Sequence, residues 1–258
     1  MNSNKKLSKK EAKKLLLLAT LAGRIMLRNG AETYRVEDTI ERICKSRKEV
    51  KYANVFSTPT GIFVSIEFGE EVLSHIMRIK STKIDLNKID QVNQFSREFV
   101  NSQMSTEEGL KRLREIDKIE DYKPIIKYLA GGISCSFFSL LFQGGYREFL
   151  SSFFIGFIVT LIVGRLNKYK VTFFISNFIG AIIASVLSIS ISNIGFSQNI
   201  NAMIIASIMP LVPGVAITNA MRDTISGDFV SGLSRAIEAI FSALAIAFGV
   251  GFVLNIYF

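Results

Sequence analysis

Hydrophobic positions divide the chain in two at about Lys127. Before it, apolar residues recur at helical or alternating intervals among charges. After it they run in blocks, and a bilayer crossing needs about 20 mainly apolar residues. Five blocks qualify, at about 125–142, 149–166, 171–194, 200–220 and 233–258. In the first half, the 3.6-residue period predicts a helix from Lys13 to Arg28, with Leu15, Leu18, Ala22 and Ile25 or Met26 on one face. Asn29-Gly30 ends it. A second helix, about Glu32 to Lys48, places Val36, Ile40 and Ile43 together. The period then changes. VKYANVFSTPT, GIFVSIEFG and HIMRIKS are short, β-branched and aromatic, and bounded by Pro59, Gly61 and Gly69, which predicts a small antiparallel sheet. Two amphipathic helices follow, one with Leu86, Ile89, Val92, Phe95 and Phe99, the other with Leu110, Leu113 and Ile116. The expected fold is a cytoplasmic α+β domain over 1–122. A membrane α-helical bundle of five transmembrane helices follows over 123–258.

Charge sharpens the division. Residues 1–127 hold 25 of the 31 Lys and Arg and 18 of the 22 Asp and Glu. The first half therefore reads as a soluble domain and the second as membrane. A basic excess beside membrane spans is expected on the cytoplasmic side, so it argues for no nucleic acid. Lys5, Lys6, Lys9, Lys10, Lys13 and Lys14 form a solvated or lipid-facing tail. This tail followed by LLLLATLAG resembles a secretory signal, but Arg24 and Arg28 continue the helical pattern and argue against cleavage. Cys44, Cys135 and the single His75 make no redox or metal spacing, and no cofactor is expected. Arg165, Lys168 and Lys170 mark the inside, which places the N-terminus in the cytoplasm and the C-terminus, at Phe258, outside. The connections YREF and GFSQN fall on the outer side, and RLNKYK and MRDTISGDFVSGLSR on the inner.

Small residues recur every fourth position: Ser152, Gly156, Thr160 and Gly164; Ser176, Gly180, Ala184, Ser188 and Ser192; Ala239, Ala243, Ala247 and Gly251. Such stripes let helices approach closely, within the bundle or against another subunit. The fourth span differs. Pro210 and Pro213-Gly214 break it, and Pro210, Gly214, Thr218 and Arg222 share a face. Freed carbonyls at membrane depth face protein or a water-filled cavity. Pro213, Gly214, Thr218, Asn219 and Arg222 are the candidate substrate-binding residues, Arg222 being the bidentate partner for a carboxylate. Asp223, Asp228, Arg235 and Glu238 are candidate coupling or gating groups, Glu238 being the most embedded acid. The alternative is an inner loop of salt-bridged charges near the headgroups.

Two polar spots stand out in the soluble half. Glu32, Thr33, Arg35, Glu37 and Asp38 crowd a helix start, read as capping and dipole matching or as an interface or ligand site. STPTGIF, with Thr60 and Gly61, reads as a turn between strands. No catalytic constellation appears, and the chain is expected not to be an enzyme.

GAETYRVEDTI, STPTGIF and VPGVAITNAMRDTISGDFVSGLSRAIEAI together resemble the threonine/serine exporter family in its half-length subunit form, over about Leu15 to Leu254. The resemblance implies a multi-pass plasma-membrane protein of bacteria that exports threonine and serine or a dicarboxylate such as succinate. It also implies a separate small membrane subunit of four or five spans, because full-length relatives carry a second set of spans. The reading is a proton-coupled secondary exporter of small carboxylate metabolites, working as an oligomer in contact with membrane lipid. The alternatives are a membrane-bound metabolite sensor and a membrane-anchored hydrolase.

Overall fold

The computed structural model describes residues 8–257. Lys5, Lys6 and Phe258 lie outside the described residues, and with them part of the basic tail and the expected outer terminus. The chain forms two compact units, one of residues 1–121 with 217–236, the other of 122–216 with 237–258.

The first unit is built on α1 (Lys9–Arg28), whose start is fixed by a capping box between Ser8 and Glu11. The helix begins four residues before the period predicted, because the cap and the acid sit ahead of the apolar run. Leu15, Leu18, Ala22, Ile25 and Met26 are all fully buried, and so are Ala12 and Ala19. The LLLL run buries more than one stripe because α2 (Thr33–Lys45), the sheet, α3 (Leu86–Asn101) and α4 (Thr106–Lys118) all pack on α1. Each large side chain so buried contributes about 1.5–3 kcal/mol. Strands β1 (Val50–Thr58), β2 (Gly61–Phe68) and β3 (Glu71–Arg78) form an antiparallel sheet in the order β1-β2-β3. Its inner face carries Ala53, Ile62, Val64, Ile66 and Leu73. The turn expected over STPTGIF is shorter than its motif, since Ser57 and Thr58 belong to β1, Gly61 to Phe63 to β2, and only Pro59 and Thr60 turn the chain. Leu86 is exposed at the first turn of α3, one position outside the buried stripe.

The second unit holds α5 (Pro124–Leu141), α6 (Tyr146–Lys168), α7 (Phe173–Asn193) and α8 (Ile200–Ile208). A 3-10 turn (Met209–Leu211), the start of α9 (Gly214–Ile225) and most of α10 (Phe229–Tyr257) complete it. The four long helices α5, α6, α7 and α10 are long and apolar enough to cross a membrane, and five spans result if α8–α9 is one broken span. Ile200–Leu211 and Gly214–Ile225 meet at 57°. Pro213 lacks an amide hydrogen, so the helical ladder stops there.

Three expected loops are largely helical, RLNKYK among them, since Arg165 to Lys168 end α6. YREF is the first turn of α6, entered through residues 142–145. Most of MRDTISGDFVSGLSR belongs to α9 and α10, with only residues 226–228 between them. The small residues of α6 do face a neighbour. A Cβ at Gly156 would overlap Cys135 Sγ, and one at Gly164 would lie 3.0 Å from Tyr128. On α10 the expected stripe is out of register. Gly249 meets α7, where a Cβ would lie 2.7 Å from the Phe178 carbonyl oxygen, while Ala243, Ala247 and Gly251 are exposed.

Candidate functional site

The site grows from the short link between α1 and α2. Gly30 adopts a φ of +94°, a left-handed backbone that suits glycine, and turns the chain sharply out of α1. Glu32 is the N-cap position of α2, yet its side chain makes no cap hydrogen bond. The first amides of a helix need acceptors from elsewhere. Asp223 supplies one: the Thr33 N–H donates to Oδ1 at 2.9 Å and the Thr33 hydroxyl to Oδ2 at 3.1 Å. A carboxylate at a helix N-terminus also meets the favourable end of the helix dipole. The expectation that first-turn acids cap α2 is therefore corrected: the capping acid lies 190 positions away.

Three cations join it. Arg235 Nε lies 3.0 Å from Asp223 Oδ2, and its Nη2 donates to the Ala31 carbonyl at 2.8 Å. Arg222 pairs with Glu32, which also takes Arg35 at 3.2 Å. Asn219 Nδ2 donates to the Gly30 carbonyl at 2.9 Å. Asp223 is fully buried, whereas the Arg222 side chain is 56% exposed against 6% for its partner Glu32.

A second layer runs through β1. The Ser57 amide donates to Glu37 Oε1 at 2.6 Å and its hydroxyl to the same oxygen at 3.3 Å. The Ser231 hydroxyl donates to the Ser57 carbonyl at 3.5 Å, and the Ser231 amide to Asp228 Oδ1 at 3.4 Å. Asp228 Oδ2 is buried without a hydrogen-bond partner. Two glycines permit this turn. Gly227 has φ +88°, and a Cβ at Gly232 would lie 3.0 Å from the Ala220 carbonyl oxygen and closer still to the Thr224 hydroxyl.

The two outer carboxylates are tuned in opposite directions. Burial would push Glu32 up, but its own backbone hydrogen bond and the charges of Arg222 and Arg35 outweigh it and hold it below its ordinary value. Burial pushes Glu37 up and the Ser57 bonds oppose it. The negative charges of Asp228 and Asp223 leave the balance upward.

Several candidate residues lie elsewhere. Pro213 and Gly214 sit at the start of α9, and Thr218 is exposed one turn further on. Glu238 is exposed on α10. Thr60 turns the β1–β2 hairpin and Gly61 opens β2, with the Thr60 carbonyl accepting from the Ile79 amide at 2.9 Å. Asp38 pairs with Arg42 on the exposed side of α2. Cys44 is buried and its thiol is pushed up to about 12 by that burial, with the Glu41 charge adding to it. Among the described residues no group of three or more His, Cys, Asp or Glu could hold a metal ion.

Sequence reasoning quoted the segments that hold three further residues but gave those residues no role. Ser57 and Ser231 join the layers described above. Glu148, only 8% exposed, accepts from the Ser197 hydroxyl, from Gly145 N at 2.8 Å and from Gln198 N and Asn199 N at 3.3 Å. It was findable as the lone acid between Asp121 and Asp223.

Apolar helices in this number, one of them broken at a proline, define a multi-pass membrane protein. The family model described as "Putative threonine/serine exporter" matches residues 17–257, and the chain belongs to that family. An uncharacterised protein of Schizosaccharomyces pombe is 25% identical over 91% of this chain, which spans 32% of that protein. The "Probable succinate transporter subunit YjjP" of Klebsiella aerogenes is 24% identical, covering 95% of this chain and 94% of its own length. The Escherichia coli protein of the same name is 23% identical, covering 93% of each. The chain thus spans about a third of the yeast relative and nearly all of the bacterial ones. No solved structure matches.

Proposed function

We propose that the chain is the substrate-binding subunit of a secondary exporter of small carboxylate metabolites, threonine and serine or a dicarboxylate such as succinate. It works with a separate small membrane subunit in a bacterial plasma membrane, with the first unit and the N-terminus in the cytoplasm. The observation that carries this reading is the Arg222–Glu32 pair. Its cation is half-exposed and its anion is buried. A substrate carboxylate is chemically the same as Glu32, and it can take the open side of the guanidinium, in a charge-assisted fork. Glu32 is left with Arg35 when that happens, so no buried carboxylate is stranded. Thr218, exposed one turn before Arg222 on α9, orients the substrate, while buried Asn219 fixes the helix through the Gly30 carbonyl, and the Pro213-Gly214 break lets that helix start free of α8.

Efflux of labelled succinate, threonine and serine from preloaded vesicles holding this chain and its small partner is the test. Arg222→Gln abolishes efflux while membrane insertion stays normal. Glu32→Gln removes the competing anion and tightens substrate binding. Normal efflux by the Arg222 variant rejects the carboxylate site, and tight binding without any efflux in the parent protein moves the assignment to a sensor.

A further inference from the structure

Strand β3 is bordered by β2 on one side only, since the sheet order is β1-β2-β3. The Ile79 amide donates to the Thr60 carbonyl, and the β2–β3 register runs without a shift from there to Phe68 and Glu71. Antiparallel alternation therefore turns the backbone groups of Leu73, His75 and Met77 towards β2, and those of Val72, Ser74 and Ile76 outward. Among the described residues no backbone group pairs with that outer row. A bare edge is a template for another strand, and proteins commonly blunt it with a proline, a bulge or a charge. β3 has neither proline nor bulge, and Val72 to Met77 carry no Lys, Arg, Asp or Glu. Its free charges stand at the ends. Glu70 precedes the strand and Arg78 closes it, and among the described residues neither makes an ion pair. Val72 and Ile76, on the outer face, are each 68% exposed. On the inner face a hollow of about 280 Å³ lies between α1 and β3, lined by Lys13, Leu16, Leu17 and Leu73 among others, and Leu17 is exposed beside it.

We propose that two copies of this chain pair through β3, antiparallel about Ser74, and join their sheets into one. The strand is complementary to itself in that register. Val72 faces Ile76 of the second copy, Ile76 faces its Val72, and Ser74 faces its Ser74. At both ends Glu70 faces Arg78, so the two charges left without a partner inside one chain find one in the other. Aliphatic and opposite-charge pairs across strands both stabilise a sheet. The outward backbone groups of Val72, Ser74 and Ile76 also meet one another directly, as a hydrogen-bonded ladder requires. Other registers lose this match. A slip of one residue sets the exposed face of one copy against the buried face of the other. A slip of two sets Val72 against Arg78 and Ser74 against Ile76. On the inner face Leu73 of the second copy stands opposite His75, where the exposed Leu17 gives it apolar surface to cover. One patch serves both copies, as a two-fold dimer demands. The pairing stands independently of what binds at Arg222.

The test is disulfide formation by the full chain in the membranes of cells that produce it. Cys44 and Cys135 are fully buried and do not compete. Directly opposed residues of a hydrogen-bonded antiparallel pair have Cα atoms about 5.5 Å apart, within disulfide reach. Ser74 is exposed, so Ser74→Cys keeps the fold, and on mild oxidation it gives a linked species of twice the 28.8 kDa chain mass. Val72→Cys and Ile76→Cys each lie about 13 Å along the strand from their own copies and stay unlinked alone. Produced together, those two variants give the linked species. Glu70→Arg and Arg78→Glu, added singly to Ser74→Cys, turn both end pairs from attraction to repulsion and lower the linked fraction roughly tenfold. Combining the two reversals restores it, which a merely structural role of either residue would not do. No link at Ser74, a link from Val72→Cys alone, a linked species of another mass, or a double reversal no better than the single ones overturns the pairing.

Discussion

Asp223 shows how much one side chain can hold. It caps α2 through Thr33 and neutralises Arg235, which is itself only 9% exposed. Asp223→Ala removes the cap and leaves a buried cation without its anion, a loss of about 3–5 kcal/mol. Asp223→Asn keeps an acceptor for Thr33 and loses less. Denaturant unfolding of the two variants gives this order, and equal losses would mean that the cap on Thr33 contributes nothing and the ion pair accounts for the whole loss. Glu37 makes the opposite demand on pH. Its folded value lies above the unfolded one, so its contribution to stability is full below the ordinary carboxylate range. It is lost as pH rises through the raised folded value. Glu32, held low, contributes above that range and loses it as pH falls through its lowered value. Glu37→Gln therefore flattens the decline with rising pH and leaves the acid limb, which a pH series of melting curves reads directly. The types of residue at this site were legible in the sequence, because acids and arginines beside a broken apolar span are costly to place there. Their partners were not. The bond from Thr33 to Asp223 spans 190 positions, and no local period encodes it.

At the scale of elements, period and capping were informative and register was not. The strand alternation and the Asn29-Gly30 stop gave the sheet and the end of α1, since both are set by neighbours in sequence. Which small residue of a span meets a neighbour depends on helix crossing, which the four-residue repeat does not fix. On α6 the repeat matched, and Gly156 lies against Cys135. Gly156→Ala forces the new methyl into Cys135 Sγ, an overpacking loss of about 1–3 kcal/mol. Adding Cys135→Ala removes the colliding sulfur and recovers part of it. A double-mutant cycle on the detergent-solubilised protein measures this coupling, and strictly additive losses would mean that the helices part instead. Glu148 works between elements too. It ties the 142–145 connection and the residues before α8 to the first turn of α6. Glu148→Ala orphans several donors at once, about 1–3 kcal/mol for each one that stays buried, and a lowered melting temperature with faster exchange at Gln198 and Asn199 amides checks it.

For the whole molecule the strongest constraint comes from surface left uncovered on a membrane helix. Glu238 and the small residues Ala243, Ala247 and Gly251 are exposed on α10, and a Cβ built on Gly251 would meet nothing within 4 Å among the described residues. Small residues gain nothing from lipid contact that larger apolar ones would not gain more fully. The stripe of Ala243, Ala247 and Gly251 fits a face completed by the small membrane subunit proposed above, whereas Glu238 lies on the opposite side of α10; the bacterial relatives of nearly equal length carry the word subunit in their names. Gly251→Leu separates the two demands on this position. Because the space beside Gly251 is open within the chain, the variant inserts and melts like the parent protein. If the partner helix lies close against Gly251, the leucine holds it off, so co-purification of the small subunit and succinate efflux fall together. Ile256→Ala, a change at another exposed position of α10, serves as the control and leaves both intact. Full efflux with the leucine in place would move the partner to a different face of the bundle.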